Sequence, residues 1–223
     1  MDNTTLAEMD ARQARTRAKL FAAILELAGE SRAEDIGVTE LAALAHVHRS
    51  TVYEFAPSPA ALLRAALEFE LDDVRAQYLT DVSADDLPEA IRLVTRAVLV
   101  HVTENAAVYR RGLAAGGALH DFLSAHFQQS SRLLLEHGMG VPIEATGIPA
   151  ETVDAMAIRY VADGTVGAIA VWLQLPTAGD PDDFLRVFTQ IVPSWWPIAP
   201  QAAGSAGVVT VAADAGLRGG AGM

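Results

Sequence analysis

The chain has no cysteine, few aromatic residues and no hydrophobic run long enough to cross a membrane. Without cysteine among its 223 residues it can form neither a disulfide nor a cysteine-ligated zinc site. The longest apolar stretch, residues 166–175, is far shorter than the roughly 20 residues that a membrane-spanning helix needs. The residues after Met1 contain no apolar segment of the kind found in secretory signals. These absences predict a soluble, cytoplasmic protein without a membrane partner.

The sequence motifs of common enzymes are also absent. There is no glycine-rich phosphate loop after a strand, no nucleophile elbow and no His-Glu-x-x-His helix. Ser130 and Ser131 lie near His126, but no acid is placed to complete a catalytic triad. His101 and Glu104 are one helical turn apart and could hold a metal with a third ligand, although a surface hydrogen-bonded pair is the simpler interpretation. We therefore expect no catalysis, no cofactor and no metal.

What the chain does have is a high apolar content arranged at helical spacing. At 51% apolar residues it can bury one sizeable core or two small ones. Apolar residues recur with the period of a helix along almost the whole sequence, and strand patterns are nearly absent. This pattern predicts an all-α fold. Beyond the first sixty residues, helices are expected over residues 60–79, from 87 onward, 119–137, 150–175 and 181–195.

Residues 38–55 have the pattern of a helix-turn-helix. Leu41, Ala42 and Ala45 form the apolar side of a first helix, while Val52 and Phe55 give a second helix its buried face. Ala42 is small where the two helices cross, which suits an interhelical separation of about 8 to 10 Å. The second helix opens with polar side chains that DNA bases or phosphates could meet. The expected contacts on this helix are His48, Arg49, Ser50, Thr51 and Tyr53.

Positive charge is concentrated near the start of the chain, although the net charge is −12. Residues 1–67 carry seven basic and nine acidic side chains, whereas residues 68–223 carry nine and nineteen. An acidic protein is repelled by phosphate unless its cations are locally clustered. Arg12, Arg15, Arg17 and Lys19 form such a cluster on the first predicted helix. We expect it to contact the DNA backbone, with a solvated helix end as the alternative.

Residues 17–67 resemble the DNA-binding domain of the TetR family of one-component transcriptional regulators. The matching residues are Val38-Thr39-Glu40-Leu41-Ala42, Ala45, Val47, Arg49, Thr51-Val52-Tyr53, Pro57-Ser58 and Ala61-Leu62-Leu63. The resemblance implies a three-helix DNA-binding domain at residues 11–67 and a helical effector-binding and dimerisation domain at residues 68–198. It also implies that Thr39 and Tyr53 help the basic cluster to hold phosphates.

Five positions depart from the family pattern. They are His46, His48, Glu54, Ala56 and Pro59. His46 replaces a turn glycine and should adopt a positive φ, which histidine tolerates better than most residues. His48 replaces a capping serine, Ala56 a core aromatic and Pro59 a lysine, although Pro59 suits the first turn of the next helix. Glu54 lies near the DNA-facing side, where a carboxylate weakens affinity unless it accepts a hydrogen bond from a cytosine amino group.

The last two predicted helices are candidates for a dimer seam. Their apolar residues interleave with Gly164 and Gly167, and small residues permit close approach of helices. Periodicity alone does not separate such a seam from the subunit core. The resemblance, however, implies that two C-terminal helices of each subunit pair in a four-helix bundle. The expected seam residues are Val166, Ile169, Ala170, Leu173, Phe184, Phe188 and Ile191.

The resemblance also implies an effector pocket among the middle helices. Candidates are polar side chains among apolar neighbours, with aromatic walls, although ordinary core packing is the alternative for each of them. The expected lining residues are His101, Glu104, Tyr109, His120, Phe122, Phe127 and Trp172, with Arg110, Asp121 and His126 as further polar candidates. The Ala- and Gly-rich stretch 199–223 is expected to be a flexible tail.

These expectations combine into a homodimeric repressor that a small-molecule effector releases from a palindromic double-stranded DNA operator. A dimer is expected on physical grounds, because one recognition helix contacts too few base pairs for useful specificity. The five departures support an alternative. The chain could be a helical protein that binds a small molecule or another protein and has lost DNA affinity.

Overall fold

The described part of the molecule is built from helices. The computed structural model describes residues 3–80, 82–83, 86–114, 119–136, 143, 146–176 and 179–196, and the expected tail at 199–223 lies outside them. Over these residues the fold is all-α, as the sequence predicts. The helices are α1 (Asn3–Glu30), α2 (Val38–Leu44), α3 (Arg49–Phe55), α4 (Pro59–Leu79), α5 (Leu87–Glu104), α6 (Ala106–Gly112), α7 (Leu119–Glu136), α8 (Ala150–Trp172) and α9 (Pro181–Ile191).

The N-terminal helices pack around the buried face of α1. Leu20 and Ile24 are fully buried on this face, and α1 contacts α2, α4 and α6. Helices α2 and α3 have only seven residues each, so tertiary packing must supply most of their stability. Leu41 and Val52 provide that packing, since neither has any exposed surface.

Helix α4 begins as its sequence predicts. The Ser58 hydroxyl accepts a hydrogen bond from the Ala61 amide at 3.2 Å, and Pro59 occupies the first helical turn. The helix then runs without interruption to Leu79. It therefore connects the helix-turn-helix directly to the C-terminal helices, because α4 also packs against α5.

The C-terminal helices form a bundle in which α7 packs on α8, and α5 packs on α4 and α9. Two helices end earlier than the sequence suggests. Helix α8 ends at Trp172. The Gln174 and Leu175 amides then donate to the carbonyls three residues earlier, which forms a tighter turn before Pro176. Helix α9 ends at Ile191, because Pro193 forces the preceding residue, Val192, into an extended conformation.

Buried side chains form one continuous hydrophobic cluster from Leu20 on α1 to Trp196 after α9. The short helix α6 fastens the two ends of this cluster. Arg110 Nε donates to the Leu173 carbonyl at 2.6 Å, and Arg111 donates to the Gly29 carbonyl. The expected domain boundary at residue 67 falls inside α4, so the two-domain division stays a prediction.

Candidate functional site

The turn between α2 and α3 is closed by a pair of backbone hydrogen bonds. The Val47 amide donates to the Ala42 carbonyl at 3.0 Å, and the His46 amide donates to the Ala43 carbonyl at 3.2 Å. This arrangement is the Schellman motif, which requires a left-handed residue after the helix. His46 fills that position with φ = 53°, which confirms the expected positive φ.

Helix α3 presents a polar surface at its N-terminal end. His48, Arg49 and Ser50 are exposed, and Thr51 is half-buried. Tyr53 is 53% exposed, whereas Val52 faces the core. The His48 side chain makes no capping hydrogen bond to α3. The first turn of this helix therefore keeps free amide groups next to the side chains expected to contact DNA.

A groove separates α3 from the N-terminal half of α1. Its lining residues are Arg12, Gln13, Thr16, Lys19, His46, Val47, His48, Thr51, Glu54 and Phe55. Arg12 and Lys19 bring two positive charges to the groove, as the basic cluster predicts. Among the side chains that the structure describes, Glu54 is the one acidic side chain that lines it. Positive charge is thus brought beside α3, but a carboxylate partly offsets it.

The remaining expected DNA contacts are placed differently. The Arg17 guanidinium lies 4.7 Å from the centre of the Phe69 ring on α4, a cation–π contact on another face of α1 from the groove. Arg15 is exposed but does not line the groove. Thr39 is exposed within α2, whose N-cap is Gly37. The structure therefore groups Lys19 with the α3 residues and leaves Arg17 apart.

An interior cavity lies among α4, α5, α7, α8 and α9. The space open to the centres of water molecules is about 70 Å³, enough for several waters. Its lining residues are Arg75, Ile91, Val94, Thr95, Val98, His126, Phe127, Ser130, Ser131, Leu134, Val161, Thr165, Phe188 and Trp196. Of the expected lining set only Phe127 is present, together with the further candidate His126.

Among the described residues, Arg75 is the one charged side chain in this lining. Its side chain is 15% exposed, and its Nη1 atom lies 2.7 Å from the Asp72 carboxylate. Its Nη2 atom lies 2.8 Å from His126 Nδ1. Its Nε atom is buried and has no hydrogen-bond partner among the described residues. Burial, followed by the positive charge of Arg75, lowers the pKa of His126 to about 3. His126 is therefore neutral near pH 7, with Nδ1 accepting from Arg75 and the ring proton on Nε2.

His101 and Tyr109 form a second polar cluster outside the cavity lining. His101 Nε2 lies 2.9 Å from the Tyr109 hydroxyl, and both side chains are buried. Glu70 lies 3.4 Å from His101 Nδ1, and burial, then the Glu104 carboxylate, raises the pKa of Glu70. Burial lowers the pKa of His101 to about 4 and raises the pKa of Tyr109. Glu104 is exposed and lines an open surface groove with His101.

The other expected pocket residues lie apart. His120 is exposed beside Asp121 on α7. Phe122 is half-buried against the hydrophobic cluster. The Trp172 ring packs against Phe184 at 4.9 Å between ring centres. These three side chains are surface or core residues, so the expectation that they line one pocket with Phe127 does not match the geometry.

The expected dimer seam is mostly buried inside the subunit. Val166, Ile169, Leu173, Phe184 and Phe188 are each at most 8% exposed. They complete the subunit core, which is the alternative that helical periodicity left open. Ala170 is half-buried, and only Ile191 is strongly exposed.

A second set of apolar residues on α8 and α9 is exposed. We call it the outer stripe, and its residues are Met156, Tyr160, Gly164, Gly167 and Val171 on α8, with Val187 and Ile191 on α9. Val171 is 68% exposed and Ile191 is 64% exposed. A methyl group built on Gly164 or Gly167 would meet no atom within 4 Å, so these glycines leave the helix surface open to close approach.

Two further features bear on the type of protein. No three histidine or acidic side chains among the described residues are grouped so that they could hold a metal ion. None of the helices in the described part of the chain is long and apolar enough to span a bilayer.

Comparison with known proteins finds its matches in solved structures. No family model and no curated protein sequence matches the chain. A TetR-family transcriptional regulator from Streptomyces coelicolor superposes with a TM-score of 0.52 at 19% identity, covering 78% of both chains. Another from Syntrophomonas wolfei gives 0.52 at 14% identity, covering 78% of this chain and 91% of that one. The chain has the TetR-family fold.

A third solved structure, the dihydroxyacetone kinase operon activator DhaS, superposes with a TM-score of 0.53 at 12% identity and covers 79% of this chain and 96% of that one. In the TetR-family fold of this chain, the interior cavity and the outer stripe contain residues that sequence reasoning missed. Arg75 was detectable as a lone cation four residues after the buried Leu71 on the apolar side of α4. The outer stripe was detectable as a second set of residues at three- and four-residue spacing on α8.

Proposed function

We propose that the protein is a homodimeric, ligand-responsive transcriptional regulator that represses by binding a palindromic DNA operator. The observation that carries this proposal is the exposed polar end of α3 beside a groove containing Arg12 and Lys19. Arg49, Ser50 and Thr51 would meet base edges, while Tyr53 and Lys19 would hold phosphates. The TetR-family fold supports this use of α3. Such a regulator would act in the cytoplasm and would not be an enzyme.

The outer stripe is the surface that we assign to the second copy. Exposed large apolar side chains, of which the outer stripe has five, are a common mark of a protein interface. The two glycines at its centre would let the α8 helices of two subunits approach closely. Two-fold pairing would place the recognition helices at successive major grooves when they are about 34 Å apart, or a multiple of this distance.

Helix α4 is suited to carry a signal between the cavity and the DNA-binding helices. It begins at Pro59, four residues after α3 ends, and Arg75 lies in the cavity wall sixteen residues further on. A straight helix of that length spans about 24 Å. An effector that moves Arg75 would tilt this helix and change the separation of the two α3 helices. A coupling free energy of about 1 to 3 kcal/mol would change operator affinity about 5- to 150-fold.

The proposal is tested by selecting duplexes from a random pool with the full-length chain. We expect an enriched palindrome whose half-sites fit a two-fold protein. On the selected duplex, Arg49→Ala should weaken binding about 5- to 150-fold, because a bidentate contact to a base contributes about 1 to 3 kcal/mol. The matched control is Arg92→Ala, an exposed arginine on α5 that should leave affinity unchanged.

The alternative, a helical binding protein without DNA affinity, draws on Glu54 in the groove and on the uncapped start of α3. It predicts that no sequence is enriched, even at low salt where phosphate contacts are strongest. A pool that stays random would therefore overturn the regulator proposal in favour of this alternative.

A further inference from the structure

The Arg75 guanidinium is an incompletely paired cation in the wall of an interior cavity. Asp72 and His126 occupy its Nη1 and Nη2 atoms, but Nε is buried without a partner among the described residues. We propose that this cavity binds the carboxylate of a small apolar acid, with Arg75 as the anchor. The inference rests on the proposed function, because it names the chemical class of the effector to which the proposed regulator responds.

The charge balance of the cavity favours an anion. Among the described residues its lining contains no Asp or Glu, and His126 is neutral at pH 7. Asp72, which pairs with Arg75, has a side chain that is 56% exposed and does not line the cavity. A partly desolvated guanidinium is stabilised most by an anion that enters the same low-dielectric space. Among the described residues, the cavity lining thus contributes one positive charge, and the carboxylate that pairs with it, Asp72, lies outside the lining and is mostly exposed to solvent.

The geometry of the free donors selects a carboxylate. The Nε and Nη2 atoms of an arginine form one edge of the guanidinium, and that edge matches the two oxygens of a carboxylate. Nε is unpaired, and Nη2 has a second proton besides the one directed at His126. A phosphate dianion would bring a second negative charge for which the lining has no second cation. A planar monoanion satisfies both the donors and the charge.

The rest of the wall favours an apolar body. The Thr95 and Thr165 hydroxyls donate to the carbonyls of Ile91 and Val161 on their own helices, so their protons are already used. Most of the remaining surface comes from aliphatic and aromatic side chains, among them Phe127 and Trp196. Since one water needs about 10 to 15 Å³ of such space, a cavity of about 70 Å³ admits a ligand of about five to seven non-hydrogen atoms.

The test is a calorimetric titration of the full-length chain, without DNA, with 3-methylbutanoate and with 3-methylbutanamide. The two probes have the same shape and differ in charge. We expect the acid to bind with a dissociation constant below about 1 mM and the amide to bind at least about tenfold more weakly. Arg75→Gln should weaken binding of the acid at least about tenfold. Arg92→Gln, which removes an exposed arginine from α5, should bind the acid as the unmodified chain does.

Three results would overturn the inference: no binding of the acid, equal binding of acid and amide, or unchanged binding of the acid by Arg75→Gln. The comparison of the two probes on the unmodified chain decides the matter even if Arg75→Gln does not fold. Because no DNA is present in the titration, failure here would count against the ligand class alone. The duplex selection judges the proposed function separately.

Discussion

The Val47 amide donates to the Ala42 carbonyl across a 3.0 Å hydrogen bond, and this contact fixes where α3 begins. The bond spans five residues and encloses His46, which it holds at φ = 53°. In this conformation an L-residue brings its β-carbon close to the following carbonyl, which costs about 1 to 2 kcal/mol. The orientation of the proposed recognition helix therefore depends on a strained histidine at a position that favours glycine.

Replacing His46 with glycine should stabilise the protein. The substitution removes the β-carbon clash but adds backbone entropy to the unfolded chain, so we expect the free energy of unfolding to rise by about 0.5 to 1 kcal/mol. Urea denaturation of the full-length chain measures this change. The control is His46→Val, whose β-branched side chain should lower the free energy of unfolding by about 1 kcal/mol or more. A glycine variant less stable than the original chain would contradict this account of the turn.

Replacing Glu54 with glutamine should strengthen DNA binding. Glu54 lines the groove with Arg12 and Lys19, so its carboxylate opposes the phosphates that those side chains would meet. Removing one opposing charge should raise affinity by up to about tenfold at 0.1 M salt and steepen the dependence of log K on log salt by about one unit. The measurement is fluorescence anisotropy with a labelled selected duplex. Glu151→Gln, an exposed substitution at the start of α8, is the matched control and should change neither quantity. Loss of affinity in Glu54→Gln would instead indicate that Glu54 accepts a hydrogen bond from a base.

Acid should destabilise the protein through its buried histidines. Burial lowers the pKa of His101 to about 4, and burial with Arg75 lowers the pKa of His126 to about 3. The unfolded chain takes up these protons near pH 6.5, whereas the folded chain does not, so stability is full above about pH 6.5 and falls as the pH drops towards 4. Each histidine should contribute a slope of about 1.4 kcal/mol per pH unit in that window.

Urea unfolding at pH 7 and pH 5 measures this histidine effect, and His126→Gln should reduce the difference between the two pH values. His120→Gln, which replaces an exposed histidine on α7, should leave that difference as it is. Stability that is the same at both pH values would contradict the burial of these two rings as neutral groups.

A charge on the outer stripe should separate the proposed dimer. Ile191→Asp and Val171→Asp place a carboxylate on side chains that are exposed in the subunit, so folding should be retained while self-association is lost. Sedimentation velocity gives the expected change from dimer to monomer, and circular dichroism confirms the helix content. Ala76→Asp, on an exposed face of α4, is the control and should remain dimeric. Val166→Ala, which creates a cavity in the core, should instead lower the stability of the subunit by roughly 2 kcal/mol.

The helix-turn-helix was predictable from the sequence because its constraints are local. Leu41 and Val52 must be buried for two seven-residue helices to pack, and the short turn admits few conformations. Pro59 and Ser58 mark the start of α4 through the same local rules of capping. The positive φ of His46 was expected from the resemblance, which implies a glycine at this position of the turn. Each of these features depends on residues within a few positions of one another.

The cavity was not predictable in the same way, because its wall combines side chains from five helices. The pairing of Arg75 with His126 joins residues 51 positions apart. Periodicity identified His101 and Tyr109 as polar residues on apolar faces, but these two rings contact each other and lie outside the cavity lining. On α8, two apolar faces share one helix, and their spacing is the same. Only packing reveals that Val166 faces inward and Val171 faces outward.

The contacts that α6 makes with both ends of the hydrophobic cluster limit where the chain can be cut into fragments. The Arg111 guanidinium donates a hydrogen bond to the Gly29 carbonyl. Val108 and Leu119 line a crevice together with Ala28 and Leu63 from the N-terminal helices. A fragment that ends at residue 67 would lose these neighbours, so the hydrophobic side chains that they cover would be exposed to water. The N-terminal fragment with the proposed recognition helix should therefore be insoluble or only partly folded when expressed alone, and grafting it onto an unrelated sensor would require α6 to be included.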